Sequence, residues 1–188
     1  RQLLLGLEFF RFEVGVEPTV AYNFDSFGHH GNMPQLLRLA GYEAYVHFRP
    51  LAGQVDLPDF IYTWEGVDGS CIPALRPPCG WYCTHPGSLV ADKIKAIQAL
   101  ARERGMPVTC FWGAGNHGGG ATRQDLKVIA SLATEIPELR HGNLEEYCRD
   151  VVVPRAANHA PHRGELQKCF TGCYTSTIGI KQRNRRGE

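Results

Sequence analysis

One repeated order constrains this chain more than any other feature: an extended apolar stretch, then a polar loop rich in glycine, then a helix-forming stretch. "TVAYN" (19–23) has the β-branched and aromatic content of a buried strand, and "FDSFGHHG" leads from it into "NMPQLLRLAG", a short helix ending at Gly41. "EAYVHFR" (43–49) alternates like a second strand, and residues 59–76 read as two strands joined across the turn-prone Gly66-Val67-Asp68-Gly69. Residues 88–104 make the clearest helix, with Ser88 as N-cap, an apolar stripe of Leu89, Ile94, Ile97, Leu100 and Ala101, and Gly105 as its stop. "PVTCFWGAG" then predicts a strand, "ATRQDLKVIASLAT" a helix, "ELRHG" a short strand and "NLEEYCRDV" a helix capped by Asn143. Such alternation, with long crossovers, predicts α/β architecture with parallel strands, as a barrel or a doubly wound sheet.

Outside that frame, Arg1–Val14 predicts a helix with one buried stripe (Leu3, Leu4, Leu7, Phe10, Val14) stopped by Gly15. From Pro154 the pattern breaks into a loop of Pro, Ala, His, Arg and Gly, followed by a polar tail. Two regions result: residues 1–153, and a loop and tail over 154–188.

Composition narrows the function classes. Lys plus Arg number 20 against 19 for Asp plus Glu, so no global field draws nucleic acid or an anionic membrane. The cations of the tail, Lys181, Arg183, Arg185 and Arg186, read as a solvated face. No apolar run reaches the roughly 20 residues of a membrane span. The opening apolar stretch is interrupted by Glu8, Arg11 and Glu13, unlike a signal peptide. Seven scattered cysteines read as free thiols of a reducing compartment, because the close pairs Cys79/Cys83 and Cys169/Cys173 lack zinc-knuckle spacing.

The chemistry concentrates in two loops that follow predicted strands, where α/β proteins build their sites. Asp25 stands too early to cap the helix near Asn32, which leaves it as a carboxylate for a pocket, with His29 and His30 nearby as metal ligands or packing residues. The second loop, "GAGNHGGGAT" (113–122), has no Gly-Lys-Ser/Thr and fits a dinucleotide turn only by forcing Gly113, Gly115 and Gly118 into register. Its glycines serve a tight turn or the approach of a large ligand to backbone. Trp64, Trp81, Tyr82, Phe111 and Trp112 are aromatic enough to stack a sugar. Core packing is the competing role for Trp64 and Phe111, whereas Trp81-Tyr82, beside Pro77-Pro78, suit a ligand rim.

The blocks "YNFDSFGHHGNMPQLL" (22–37), "FRP" (48–50), "WEGVDGS" (64–70), "GAGNHGGGAT" (113–122) and "GELQKCFTGCYTSTIGIKQRNRRGE" (164–188) together resemble the glycoside hydrolase family 38 α-mannosidases, in the right order over nearly the whole chain. The likeness is greater to bacterial and cytosolic-type members than to the Golgi type. It implies part of a seven-stranded, TIM-like (β/α) barrel over 1–153, continued by a loop and helical segment over 154–188. It also implies a cytoplasmic, zinc-dependent, retaining hydrolase of α-mannosides or oligomannose glycans. By the same resemblance Asp25 is nucleophile and zinc ligand, and Arg49 supports it.

Two departures are visible. The aspartate that serves cytosolic-type members as acid/base is replaced by Asn116-His117, so the acid is His117 or a carboxylate from elsewhere. The family's His-x-Asp pair and last histidine ligand have no counterpart, so the remaining zinc ligands are expected outside these residues. The 188 residues alone are expected to be an incomplete piece that binds zinc weakly and hydrolyses nothing. The rival expectations are a degenerate carbohydrate-binding protein and a metal-dependent hydrolase of another substrate on the same fold.

Overall fold

The computed structural model describes residues 1–84, 90–115, 118–170, 172 and 177–187. In chain order its elements are α1 (Gln2–Phe9) running into a π-helical turn (Phe10–Val14), β1 (Val20–Asn23), α2 (Met33–Leu39), β2 (Ala44–His47), β3 (Ile61–Glu65) and β4 (Cys71–Leu75). They continue with α3 (Val90–Arg104), α4 (Arg123–Glu135), α5 (Leu144–Tyr147) with a second π-helical turn (Cys148–Val152), α6 (Val153–Arg155), a 3-10 turn (Ala156–Asn158), β5 (His162–Arg163) and α7 (Ile178–Gly187). The fold is mixed α/β around one five-stranded sheet of order β1-β2-β4-β3-β5.

The β1–β2, β2–β4 and β3–β5 pairs are parallel, and β3 and β4 form the antiparallel hairpin expected across Gly66–Gly69. Both faces of the sheet centre are covered, which is why β2 is buried at every position instead of alternating. On one face Ala44, Val46, Ile61 and Leu75 pack against Cys148, Val151 and Val152. On the other, Tyr45, Tyr62, Trp64 and Ile72 pack beneath Leu37 of α2 and Leu166. A third cluster joins α3 to α4 through Val90, Ile94, Ile129 and Leu132.

Local signals explain the helix ends. Thr122 Oγ1 accepts from Asp125 N–H at 3.0 Å, and Asn143 Oδ1 accepts from Glu146 N–H at 2.7 Å. Gly15 closes the first helical run in the left-handed conformation (φ 76°), as its position predicts. The proposed cap Ser88 lies outside the described residues.

Several expectations are corrected. α1 buries no residue: Leu4 is 56 % exposed and Phe12 75 %, because among the described residues nothing packs over them. β1 is an edge strand, with Tyr22 66 % exposed, not a buried one. Residues 107–112 and 138–142 form no strand; just beyond the first segment, Ala114 forms an isolated bridge with Thr84. The seven-stranded barrel is therefore not what the described residues display. The stretch after Pro154, read as loop, contains β5, which pairs with β3 by register Trp64 to His162, and the tail forms α7.

Candidate active site

Parallel register builds the site. The last β1–β2 pair sets Asn23 opposite His47, and two residues beyond the end of each strand stand Asp25 and Arg49. The acid and the base therefore leave the same sheet edge side by side, at the carboxyl ends where α/β sheets carry their ligands. Arg49 Nε donates to Asp25 Oδ1 at 2.5 Å, and the Tyr82 hydroxyl donates to Oδ2 at 3.2 Å. The Asp25 side chain keeps 41 % of its surface exposed and that of Arg49 17 %, so the acid faces outward and the cation backs it.

Arg49 is held on all sides. Its guanidinium carbon lies 4.7 Å from the Trp81 ring centre, 5.1 Å from Phe27 and 5.4 Å from Phe170. Its Nη1 donates to Cys169 Sγ at 3.5 Å. Partial desolvation pulls the Arg49 pKa down, but the bonds to Asp25 and Cys169 outweigh it and the net shift is upward. Phe170 takes up its place with left-handed backbone (φ 47°), a conformation costing on the order of 1–3 kcal/mol in a non-glycine residue. Tyr82 is pushed up by desolvation first and by the Asp25 charge second, so its hydroxyl stays a donor.

Beneath the ion pair lies a buried polar network that sequence reading did not anticipate. His29 Nε2 and His47 Nδ1 both bond the Arg49 carbonyl, each at 2.8 Å. The Tyr45 hydroxyl bonds His29 Nδ1 and the Tyr62 hydroxyl bonds His47 Nε2, each at 2.7 Å. Burial lowers both histidine pKa values, that of His47 to about 3 with help from neighbouring His29, and raises those of both tyrosines. Both imidazoles are accordingly neutral. Since a carbonyl only accepts, the proton sits on Nε2 of His29 and on Nδ1 of His47. The one available signal was the i, i+2 spacing of Tyr45 and His47, which puts both on one sheet face.

A cavity of about 510 Å³ is lined by Asp25, Arg49, Trp81, Tyr82, Trp112 and described glycines of the second loop, Gly113 and Gly118–Gly120 among them. The loop folds tightly: Ala114 N–H donates to Gly120 O at 2.7 Å, and a Cβ on Gly119 would stand 1.8 Å from Ala114 O. Only glycine permits that approach. Lys93 of α3 ties the Trp81 backbone to residue 111 by donating to the carbonyls of Trp81 and Phe111.

Residues 1–165 match the model of the glycosyl hydrolases family 38 N-terminal domain. The chain belongs to this family. Among curated relatives of this family 38 chain, an alpha-mannosidase of Saccharomyces cerevisiae is 28 % identical over 100 % of the chain and 18 % of its own length. Alpha-mannosidase G of Dictyostelium discoideum is 25 % identical, over 98 % of the chain and 17 % of its own length. Human alpha-mannosidase 2C1 is 29 % identical over 100 % of the chain and 18 % of its own length. The crystal structure of an alpha-mannosidase from Enterococcus faecalis V583 superposes with a TM-score of 0.61 at 23 % identity, covering 87 % of the chain and 19 % of that structure. The chain thus spans under a fifth of the length of these relatives.

Of the residues singled out in sequence, Asp25, Arg49, Trp81 and Tyr82 meet at one cavity of the family 38 chain. Asn116 and His117 lie outside the described residues. Trp64 is fully buried with its Nε1–H donated to Gly164 O at 2.9 Å, and Phe111 packs edge-on against Phe24 and Phe48, so neither forms a sugar platform.

The donor set does not fit a zinc ion by itself. Asp25 Oδ1 already holds a cation, both nitrogens of His29 are engaged, and His30 points away to Glu165 at 3.5 Å. Among the described residues no group of three or more His, Cys, Asp or Glu could hold a metal.

Proposed function

We propose that this chain is part of the catalytic domain of a retaining α-mannosidase acting on α-mannosides or oligomannose glycans, and that Asp25 is its nucleophile. One observation carries the reading: an outward-facing carboxylate, backed by Arg49, opens to a glycine- and aromatic-walled cavity within the span matched by the family 38 domain. The parallel β1-β2-β4 run supports reading the sheet as part of a seven-stranded (β/α) barrel. A cytoplasmic location belongs to the same reading, on the likeness of the motifs to cytosolic-type members.

The chemistry follows from the geometry. Oδ1 of Asp25 is engaged by Arg49, and Oδ2 carries only the longer bond from Tyr82, so Oδ2 is the attacking oxygen. It forms a bond to the anomeric carbon while the bond to the aglycone oxygen breaks, and the aglycone leaves with a proton from the acid. Water then attacks the same carbon, the ester bond to Asp25 breaks, and the water's proton returns to the acid's conjugate base. We assign the acid to the Asn116–His117 region or to a carboxylate from further polypeptide. If zinc is bound in the whole protein, Asp25 would be one ligand and the rest would come from residues other than those described, and the metal would supply binding of sugar hydroxyls.

The test is to trap the intermediate. The full-length protein carrying this chain is incubated with a fluorinated mannosyl fluoride, and the labelled peptide is sequenced by mass spectrometry. An adduct on Asp25 is expected; an adduct on another residue, or turnover with inverted product stereochemistry, would overturn the assignment.

One observation favours a second reading. Asp25 is the only carboxylate among the described residues lining the cavity. A non-hydrolytic carbohydrate-binding protein needs no second acid, and mannose binding without turnover of an aryl α-mannoside would establish it.

A further inference from the structure

We infer that His29 and His47 are positioning residues: together they fix the main-chain carbonyl of Arg49 and thereby aim its guanidinium at Asp25. The inference deepens the reading of Asp25 and Arg49 given above, and its geometric basis is independent of the reaction.

A carbonyl oxygen has two lone pairs, and here each receives one imidazole N–H, His29 Nε2 at 2.8 Å and His47 Nδ1 at 2.8 Å. The two donors come from different places in the chain. His47 is the last residue of β2 and reaches forward to the carbonyl two residues on. His29 belongs to the loop that carries Asp25, so its bond ties the acid's loop to the arginine's turn. The backbone of His29 is clamped in turn, exchanging both its N–H and its C=O with Leu166 at 3.0 Å.

Each imidazole is oriented from behind. The Tyr45 hydroxyl bonds Nδ1 of His29, with Ser26 Oγ at 3.3 Å from the same nitrogen, and the Tyr62 hydroxyl bonds Nε2 of His47. The rings stand 5.3 Å apart, and Trp64 closes the group 6.4 Å from His29. With exposures of 3 % and 0 %, neither histidine reaches the cavity, so both act through Arg49 and not on a ligand. This is the arrangement by which outer groups orient a reacting pair: donors locked by their own hydrogen bonds.

A packing role and a positioning role make different demands. Packing asks for volume; positioning asks for an N–H at one place. Asparagine presents an N–H near the Nδ1 position of histidine and glutamine near Nε2, whereas leucine fills the space with no donor.

The experiment is NMR on the 188-residue protein labelled with 15N at histidine and arginine side chains. His29 is expected as the Nε2–H tautomer and His47 as the Nδ1–H tautomer, with a protected Nε–H resonance for Arg49. His47→Asn and His29→Gln are expected to keep that protection, and His47→Leu and His29→Leu to raise the Arg49 Nε–H exchange rate by about tenfold. The opposite tautomer on either ring, or unchanged exchange in folded leucine variants, overturns the inference. Where a leucine variant does not fold, the tautomers and the Asn and Gln variants decide. Failure of Asp25 as nucleophile would appear in the trapping experiment and leave these resonances unaltered.

Discussion

Arg49 Nε lies 2.5 Å from Asp25 Oδ1, and the two residues are neighbours because Asn23 and His47, two positions earlier on β1 and β2, are register partners. The relationship is one of backbone pairing first and charge second. Two parallel strands bring an acid and a cation from separate loops to one point, and the side chains complete the contact. The greater exposure of the acid, against a half-buried cation, leaves the carboxylate available to a ligand while its partner stays fixed.

This pair should dominate activity. In the full-length protein, Asp25→Asn is expected to lower kcat on an aryl α-mannoside on the order of 10⁴-fold, as loss of a covalent nucleophile does. Arg49→Lys keeps the charge but loses the planar fork and its stacking on Trp81, and a fall on the order of 10²-fold is expected. Steady-state kinetics checks both, and unchanged kcat in Asp25→Asn would remove Asp25 from the mechanism.

The aromatic rim separates binding from chemistry. Tyr82→Phe removes only the donor to Oδ2 and should lower kcat by about tenfold with little change in KM. Trp81→Ala removes a wall of the cavity and a cation–π contact worth about 1 kcal/mol, and should raise KM more than it lowers kcat.

Acid should weaken the fold through the buried histidines. His47 titrates at about 3 when folded against an ordinary value near 6.5, chiefly from desolvation, with charge on His29, Arg76 and His162 acting in the same direction and the bond to the Arg49 carbonyl opposing. Between those values the unfolded chain binds the extra proton, so stability is full above about pH 6.5 and falls as pH drops toward 3, by up to about 1.4 kcal/mol per pH unit from His47. Burial lowers His29 as well, and it adds to the same trend. Urea denaturation between pH 4 and 8 checks the slope, which His47→Asn should flatten.

Gly119→Ala should deform the site while sparing the core. The added Cβ would meet main-chain oxygen at 1.8 Å, so the Gly113–Gly120 loop must move, yet it contributes nothing to the three hydrophobic clusters. Loss of sugar binding at nearly unchanged denaturation midpoint is the expected result.

The 188 residues by themselves should not retain zinc stoichiometrically or turn over an aryl α-mannoside. Plasma emission analysis after gel filtration, together with a colorimetric assay, checks this. Tight, equimolar zinc with activity would mean that the donor set is complete within the chain after all.

Local chemistry was enough for some of this protein. Capping residues Thr122 and Asn143, the glycines at 15 and 41, and the hairpin turn at 66–69 act on their immediate neighbours, so their elements appear where the sequence predicts them. The motif around Asp25 likewise pointed to a carboxylate at a strand end. What sequence could not decide was decided by long-range pairing and burial. "PVTCFWGAG" has strand composition but makes only an isolated bridge, Ala114 to Thr84, among the described residues and joins no ladder, while His162–Arg163, with little strand signal, becomes β5 because β3 offers a free edge. The stripe of α1 is apolar but buries no residue, although Leu3 packs against a core cluster, since periodicity specifies a face and only a neighbour buries it. The proline-flanked setting of Trp81 already suited a ligand rim and Trp64 had core packing as its competing role; tertiary packing buries Trp64 in β3 and sets Trp81 against Arg49. The histidine pair on the Arg49 carbonyl joins residues 29 and 47, 18 positions apart, through hydrogen bonds whose existence depends on three-dimensional placement alone. Sequence determined which groups were available, and tertiary structure determined which of them meet, because burial and pairing are properties of neighbours that the chain acquires only on folding.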